Sequence, residues 1–344
     1  MAALKPISQQ TVVITGASSG IGLATARRAA NSGAAVVLVA RNKAALEEIV
    51  AELRVDGCRA EACAIDIADD GCGEKVANVA SQSFGGFDLW VNCASVSSYG
   101  TLEQLGVNEQ RRVFDVDYFG MLQASLTAVA HLRRRGGGAI INVGSILSDR
   151  AVIEQPAYSA AKAAVRALTE NLGMDVERQG LPISVTLIKP SGVHTPFPEH
   201  ARNHMSDAPR IPQVIYAPEL VADAIIFAAQ HPRRQIYVGG TGFLLSSLAR
   251  LFPRATDRIM EAAFVEAQQD DVQRGDPAAR DNLFEPKSDG REEGTQDYFV
   301  RHSSYFLQAQ KHPVAAGGLI ASAAAAGLIG WVLRKKQKAG PGTK

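Results

Sequence analysis

Tyr158 and Lys162 lie four residues apart in Ala157-Tyr158-Ser159-Ala160-Ala161-Lys162, within a stretch of helical periodicity, so both project from one helix face. A phenol ionises near pH 10 and is a poor base at neutral pH, but a neighbouring ammonium favours its phenolate. Such a pair suits the acid/base that gives or takes a proton when a carbonyl and an alcohol interconvert. Tyr-x-x-x-Lys also arises by chance, with the lysine simply solvated. Ser145 alters that balance. It follows the apolar run Ala139–Gly144, thirteen residues before Tyr158, where the carboxyl ends of parallel strands build sites. Its hydroxyl can hold a substrate oxygen and stabilise charge developing on it.

A second motif points to a dinucleotide. Thr15-Gly16-Ala17-Ser18-Ser19-Gly20-Ile21-Gly22 follows the β-rich run Thr11–Thr15 directly and opens a helical stretch. Gly16, Gly20 and Gly22 permit a tight turn and a close backbone approach to a pyrophosphate. Ser18, Ser19 and Ile21 then present hydroxyl and N–H groups at a helix N-terminus, which favours anions. The next β-rich run ends at Ala40 and is followed by Arg41, near the position where an acidic residue would grip an NAD ribose. An arginine there suits the 2′-phosphate of NADP(H), so NADP(H) is the expected cofactor. Asp66, ending the third run, is either an acceptor for the adenine amino group or a cap for the following helix.

The elements that must position these groups are legible. Runs at Thr11–Thr15, Val36–Ala40, Ala60–Ile65, Phe87–Asn92, Ala139–Gly144, Ile183–Ile188 and Gln235–Gly239 alternate with helical stretches such as 20–32, 43–56, 109–134, 157–179 and 218–230. VVLVA, AIINVG and ISVTLI are continuously apolar, as strands covered on both faces are. The pattern predicts an α/β, Rossmann-like, doubly wound and mainly parallel seven-stranded sheet with helices on both faces.

Residues 1–242 are expected to form this cofactor-binding and catalytic domain. Residues 243–313 read as an extension, with an amphipathic helix over 257–269 and a charged stretch over 270–297 that is a wrapping loop or a disordered linker. Val314–Leu333 carries no charge and precedes Arg334, Lys335, Lys336 and Lys338. That pattern suits a membrane-contacting helix, which would put the enzyme on the cytoplasmic face of a membrane because there is no export signal. The net charge is +1, and Arg133–Arg135 fits a helix C-terminus, so no nucleic-acid partner is expected. Cys58, Cys63, Cys72 and Cys93 form no CxxC pair, and His194 and His200 lack a further ligand set, so no metal is expected.

Taken together, TGxxxGIG, the Asn92-x-Ala94 element, Ser145, Tyr158-x-x-x-Lys162 and Pro190…Thr195 resemble the classical short-chain dehydrogenase/reductase family over roughly residues 11–240. The resemblance implies that Tyr158 is the acid/base, that Lys162 holds the nicotinamide ribose, and that Ser145 positions the substrate carbonyl. It implies that Asn92 stabilises the sheet and lines the cofactor, and that Val193 and Thr195 hold the carboxamide and a phosphate. Homo-oligomers are common in the family. Three positions depart from its pattern: Asn92-Cys93-Ala94-Ser95 replaces Asn-Asn-Ala-Gly, Ser191 follows Pro190, and Asp117 stands where a relay Asn is usual. Asp accepts the same hydrogen bonds but adds charge and cannot donate when ionised. The expected function is NADP(H)-dependent interconversion of a carbonyl and an alcohol on a small, lipophilic substrate. The competing expectation is a non-catalytic NADP-binding sensor or scaffold at a membrane, against which an intact Ser145, Tyr158 and Lys162 argue.

Overall fold

The computed structural model describes residues 3–212, 214–275, 280–287 and 290–318. Seven strands form one sheet: β1 Thr11–Thr15, β2 Ala35–Ala40, β3 Arg59–Ala64, β4 Leu89–Asn92, β5 Gly138–Val143, β6 Ile183–Pro190 and β7 Gln235–Val238. Their order is β7-β6-β5-β4-β1-β2-β3, and every neighbouring pair is parallel. The order reverses between β1 and β4, so the chain leaves the sheet in opposite directions there and opens a crevice above the strand ends.

The continuously apolar runs are explained by two core layers. Val12, Ile14, Val36 and Leu38 pack on one face with α1 (Gly20–Asn31) and α8 (Pro218–Ala228). Val13, Val37, Val39 and Trp90 pack on the other with α3 (Cys72–Phe84) and α5 (Met121–Arg135). The remaining site-bearing helices are α2 (Lys43–Val55), α4 (Val107–Phe114), α6 (Pro156–Arg178) and α7 (Phe197–His200). Asn42 caps α2 by accepting the Ala45 N–H at 3.1 Å.

The helix predicted over 109–134 is interrupted. A π-turn, Asp115–Gly120, lies between α4 and α5 and turns Asp117 fully inward. Gly120 allows this, because a Cβ there would meet the Ile67 carbonyl at 2.8 Å. The amphipathic helix expected over 257–269 is present as far as Ala267: α10 (Pro253–Ile259) continues through a second π-turn, Met260–Phe264, into Val265–Ala267, and a strand begins at Gln269.

The extension is laced onto the sheet domain. Helix α9 (Gly240–Leu251) follows β7. Gln269–Arg274 pairs antiparallel with Asp207–Pro209, and Val300–Arg301 pairs parallel with Ile215–Tyr216. The helix Tyr305–Lys311 covers the sheet edge, where Gln310 accepts from the Tyr237 N–H and donates to its carbonyl. Between these elements, 280–287 and 290–297 wrap rather than dangle, and Leu283 is fully buried among core residues. Among the described residues no helix is long and apolar enough to cross a membrane. Most of the Val314–Leu333 segment, including Trp331, lies outside the described residues.

Candidate active site

The loop after β1 turns into α1 over the crevice. Gly22 packs so tightly that a Cβ would overlap the Gly16 carbonyl, and Thr15 Oγ1 accepts the Cys93 and Ala94 N–H groups at 3.0 and 3.1 Å. This joins the ends of β1 and β4 at the reversal point. A cleft of about 340 Å³ runs from here to α6. Gly16, Ser18, Ser19, Gly20, Ile21, Gly22, Arg41, Asp66, Val193 and Thr195 all line it, with Ser145, Tyr158 and Lys162 at its inner end. The sequence motifs, separated by more than a hundred residues, therefore converge on one cleft.

Asn92 does not line that cleft. It is buried under the sheet, where it accepts from the Trp90 indole at 2.8 Å and donates to Ser125 and Asn142 at 3.0 and 2.8 Å. The cofactor contact implied for it is corrected, because the side chain is spent tying β4 to β5 and α5. Cys93, the next residue, is the one in the cleft wall, where burial pushes its thiol up to about 12.

At the inner end, Tyr158 and Lys162 project from the first turns of α6, and Ser145 follows β5. Tyr158, Ser145 and Ser95 line the same end of the cleft. The Lys162 ammonium lies 5.3 Å from the Tyr158 ring centroid. It donates to Asp117 Oδ2 at 3.2 Å and to the Val143 carbonyl at 3.4 Å. Both members of that pair are buried. The lowered Tyr158 pKa expected from Lys162 is therefore absent in the unliganded protein. Burial, reinforced by the Asp117 carboxylate, holds the phenol above its ordinary value, and the Ser145 and Ser95 hydroxyls work against that. Asp117 is also pushed above the usual carboxylate range, because burial outweighs Lys162 and the hydrogen bonds.

Sequence reasoning missed how two of the departures fit together. Ser95, standing where the family pattern has Gly, donates to Asp117 Oδ2 at 2.5 Å, while the Val96 N–H donates to Oδ1 at 2.9 Å. Ser95 also lines the cleft with Tyr158. The added carboxylate thus comes with an added hydroxyl that binds it. Each substitution was visible in the sequence, and only the fold shows that they touch.

The outer end is busier than expected. Arg41 donates to the carbonyls of Phe284 (3.0 Å) and Asn282, and lies 3.8 Å from Asp66. Asp66 accepts the Ala68 N–H at 2.9 Å in the turn before α3 and pairs with Arg112; it does not cap α3, whose N-cap is Gly71. His194 and His200 are buried, and His194 faces Tyr298 and the Gln296 carbonyl, at 3.2 Å from the latter. Among the described residues no His/Cys/Asp/Glu cluster is arranged to hold a metal.

The cleft wall beyond Ser145 carries apolar residues together with Arg150, Gln155 and Gln268. Ile146, Leu147 and Val152 follow Ser145, and Leu245 and Phe264 come from the extension. Gln155 and Gln268 form a buried pair there, with Gln155 donating to Gln268 Oε1 at 2.8 Å. Glu154, just before them, is the non-glycine residue with positive φ (64°) among the described residues.

Comparison with known proteins places this architecture. The sequence matches the short chain dehydrogenase family over residues 10–206, more than half of the chain. This chain belongs to the short-chain dehydrogenase family. An uncharacterized oxidoreductase of Bacillus subtilis, YxnA, is 39% identical over 335 residues, covering 97% of this chain and 92% of that protein. The extension is therefore shared with it. The cis-4-hydroxycyclohexanecarboxylate dehydrogenase of Sinomonas cyclohexanicum is 34% identical over 227 residues, covering 64% of this chain and 90% of that one. Among solved structures, the L-sorbose reductase of Gluconobacter frateurii, complexed with NADPH and L-sorbose, aligns with a TM-score of 0.59 at 27% identity. It covers 67% of this chain and 94% of that one. The short-chain dehydrogenase is thus an oxidoreductase with a Rossmann-like fold and structural neighbours that carry nicotinamide cofactors.

Proposed function

We propose that this short-chain dehydrogenase uses NADP(H) to interconvert a carbonyl and an alcohol, with Tyr158 as the general acid/base. The observation that carries this is the convergence of Ser145, Tyr158 and Lys162 at the inner end of the cleft whose outer end is the glycine loop.

The residues fit a dinucleotide. The first-turn N–H groups of α1 lack intrahelical acceptors and present a positive dipole end to a phosphate. Gly22 cradles the turn where any Cβ would collide. Arg41 follows β2 with no carboxylate in the position that would grip an NAD ribose, which supports NADP(H). Val193 and Thr195 line the cleft, with Thr195 beside Gly20, where they would hold the carboxamide and a phosphate. When bound, the nicotinamide supplies or accepts the hydride at the substrate carbon.

The protein's own residues move the proton. In reduction, Ser145 donates a hydrogen bond to the substrate oxygen, and the Tyr158 hydroxyl gives that oxygen its proton. Lys162 swings its charge from Asp117 toward a bound ribose, which favours the Tyr158 phenolate left behind. Ser95 and Asp117 form the next step of the proton path, replacing the usual Asn with a carboxylate–hydroxyl pair. Oxidation runs the same steps backwards.

The apolar side chains of Ile146, Leu147, Val152, Leu245 and Phe264 support a lipophilic substrate. Exposed Phe119, Leu126 and Met174 on the helical surface support homo-oligomers. Membrane contact through Val314–Leu333, with the enzyme on the cytoplasmic face, rests on the sequence of that segment. The test is a screen of lipophilic ketones, aldehydes and alcohols with both cofactors. NADPH-dependent reduction of apolar carbonyls is the expected result. Turnover confined to NADH, or to polar sugars, would overturn the cofactor or the substrate class respectively.

A further inference from the structure

Asp281–Lys287 and Arg291–Gln296 lie at the outer face of the cofactor cleft, and their contacts fall on the very groups a dinucleotide would engage. Arg41 gives two guanidinium hydrogen bonds to the carbonyls of Asn282 and Phe284. Arg112, which neutralises Asp66, donates to the Leu283 carbonyl at 2.9 Å. The Gly20 N–H, first of the α1 donors, is taken by the Arg291 carbonyl at 2.8 Å. Gly294 lies so close to the Thr195 carbonyl that a Cβ would sit 2.9 Å from it.

Two kinds of anchor hold this strap. Leu283 is buried in the sheet core, a fixed point. Further along, the attachments are polar and at the surface. Glu199 accepts the Thr295 N–H at 2.5 Å and an Arg291 N–H at 3.0 Å, and Arg27 pairs with Glu292 at 2.8 Å. A strap pinned by a core leucine at one end and by exchangeable polar contacts at the other can lift without unfolding the sheet.

Asn282, Pro286 and Lys287 line the same cleft as Ser18–Gly22, so a void remains between strap and glycine loop. Lys287 donates to the Glu199 carbonyl at 2.8 Å, an uncharged acceptor, and among the described residues no carboxylate lies within ion-pairing distance of it. Arg41, by contrast, is already flanked by two carbonyls and Asp66. The cleft lining therefore includes an ammonium that no described carboxylate neutralises.

We propose that the strap, Asp281–Lys287 with Arg291–Gln296, is a wall of the cofactor site, in which Lys287 binds a cofactor phosphate and which must lift for the cofactor to exchange. This rests on the nicotinamide-cofactor function proposed above. It adds a binding residue from a part of the chain that lies beyond the matched family region, 10–206. The phosphate is either the ribose 2′-phosphate or the diphosphate, and the two are separable.

The full-length protein is titrated with NADPH and with NADH by nucleotide fluorescence, and release is followed by stopped flow. Lys287→Gln should weaken binding about tenfold, with Lys287→Arg restoring most of it. A loss confined to NADPH identifies the 2′-phosphate, and an equal loss for both cofactors identifies the diphosphate. Glu199→Ala, which frees Thr295 and Arg291, should speed cofactor release several-fold. If that variant does not fold, Glu292→Gln cuts the Arg27 pair and carries the same expectation. Unchanged affinity in Lys287→Gln overturns the phosphate contact, and unchanged release in the strap variant overturns the gate. A wild type that binds neither nucleotide overturns the cofactor function itself, and the strap's role with it.

Discussion

Asp117→Asn separates what the buried pair does for stability from what it does for chemistry. Asp117 Oδ2 and Lys162 Nζ lie 3.2 Å apart with side-chain exposures of 0% and 2%. At an effective dielectric of about 20 their attraction is roughly 5 kcal/mol, but removing each ion from water costs several kcal/mol. The net result is a carboxyl whose pKa is raised by burial despite Lys162. A group with a raised folded pKa contributes its stability fully below the unfolded value and loses it as pH rises through the folded one. Asn keeps the acceptor for the Val96 N–H and a partner for Ser95, and Lys162 keeps the Val143 carbonyl. The expected outcome is a variant within about 1 kcal/mol of wild type at pH 8, on the stabilising side, whereas breaking a buried pair typically costs about 3–5 kcal/mol. Urea unfolding of the unliganded protein from pH 5 to 9 measures this. Wild type should lose stability relative to the variant as pH rises. The same substitution removes the carboxylate that helps to raise the Tyr158 pKa, so the acid limb of alcohol oxidation, below which the phenolate is protonated, should move to lower pH. Each unit moved corresponds to about tenfold in rate below that limb. A loss of 3 kcal/mol or more with no pH-dependent gap, and an unmoved rate profile, would refute this balance of burial against attraction.

Arg41→Ala should weaken NADPH by roughly 10- to 100-fold and leave NADH nearly unchanged, read from initial rates with each cofactor, as expected when charged hydrogen bonds to a phosphate are lost. Equal losses for both would show that Arg41 serves the strap rather than the 2′-phosphate. Leu283→Ala removes a fully buried side chain and should cost about 2–5 kcal/mol in the unfolding of the sheet domain. If the melting transition stays in place and only protease sensitivity near 280–296 increases, the strap is not part of the cooperative core.

The fold was legible because both faces of the sheet are covered, so VVLVA and ISVTLI had to be apolar without alternation. The glycine loop and the Ser145, Tyr158, Lys162 set were legible for a similar reason, since local geometry restricts the residue types allowed. Helix α3 went unnoticed because Cys72–Phe84 is built of small and polar residues, with only Cys72, Val76 and Ala80 among its apolar side chains deeply buried. The contacts of Arg41 were illegible because its partners lie 241 and 243 residues away and are backbone carbonyls, which any sequence supplies. Asn92 was misplaced by one residue's worth of strand alternation, since its neighbour Cys93 faces the cleft and Asn92 faces the interior. The charged stretch 270–297 looked like a poor core former, and most of it is. One leucine, Leu283, was enough to pin it.

Tyr158→Phe removes one hydroxyl and keeps the ring that packs 5.3 Å from Phe197, so binding and fold should survive it. Single-turnover reduction of a carbonyl substrate by prebound NADPH measures the chemical step directly. The expected result is unchanged NADPH affinity with turnover lowered by about 10²–10⁴-fold, the usual contribution of a positioned acid. Turnover equal to wild type at every pH, with the same cofactor affinity, would contradict Tyr158 as the proton donor.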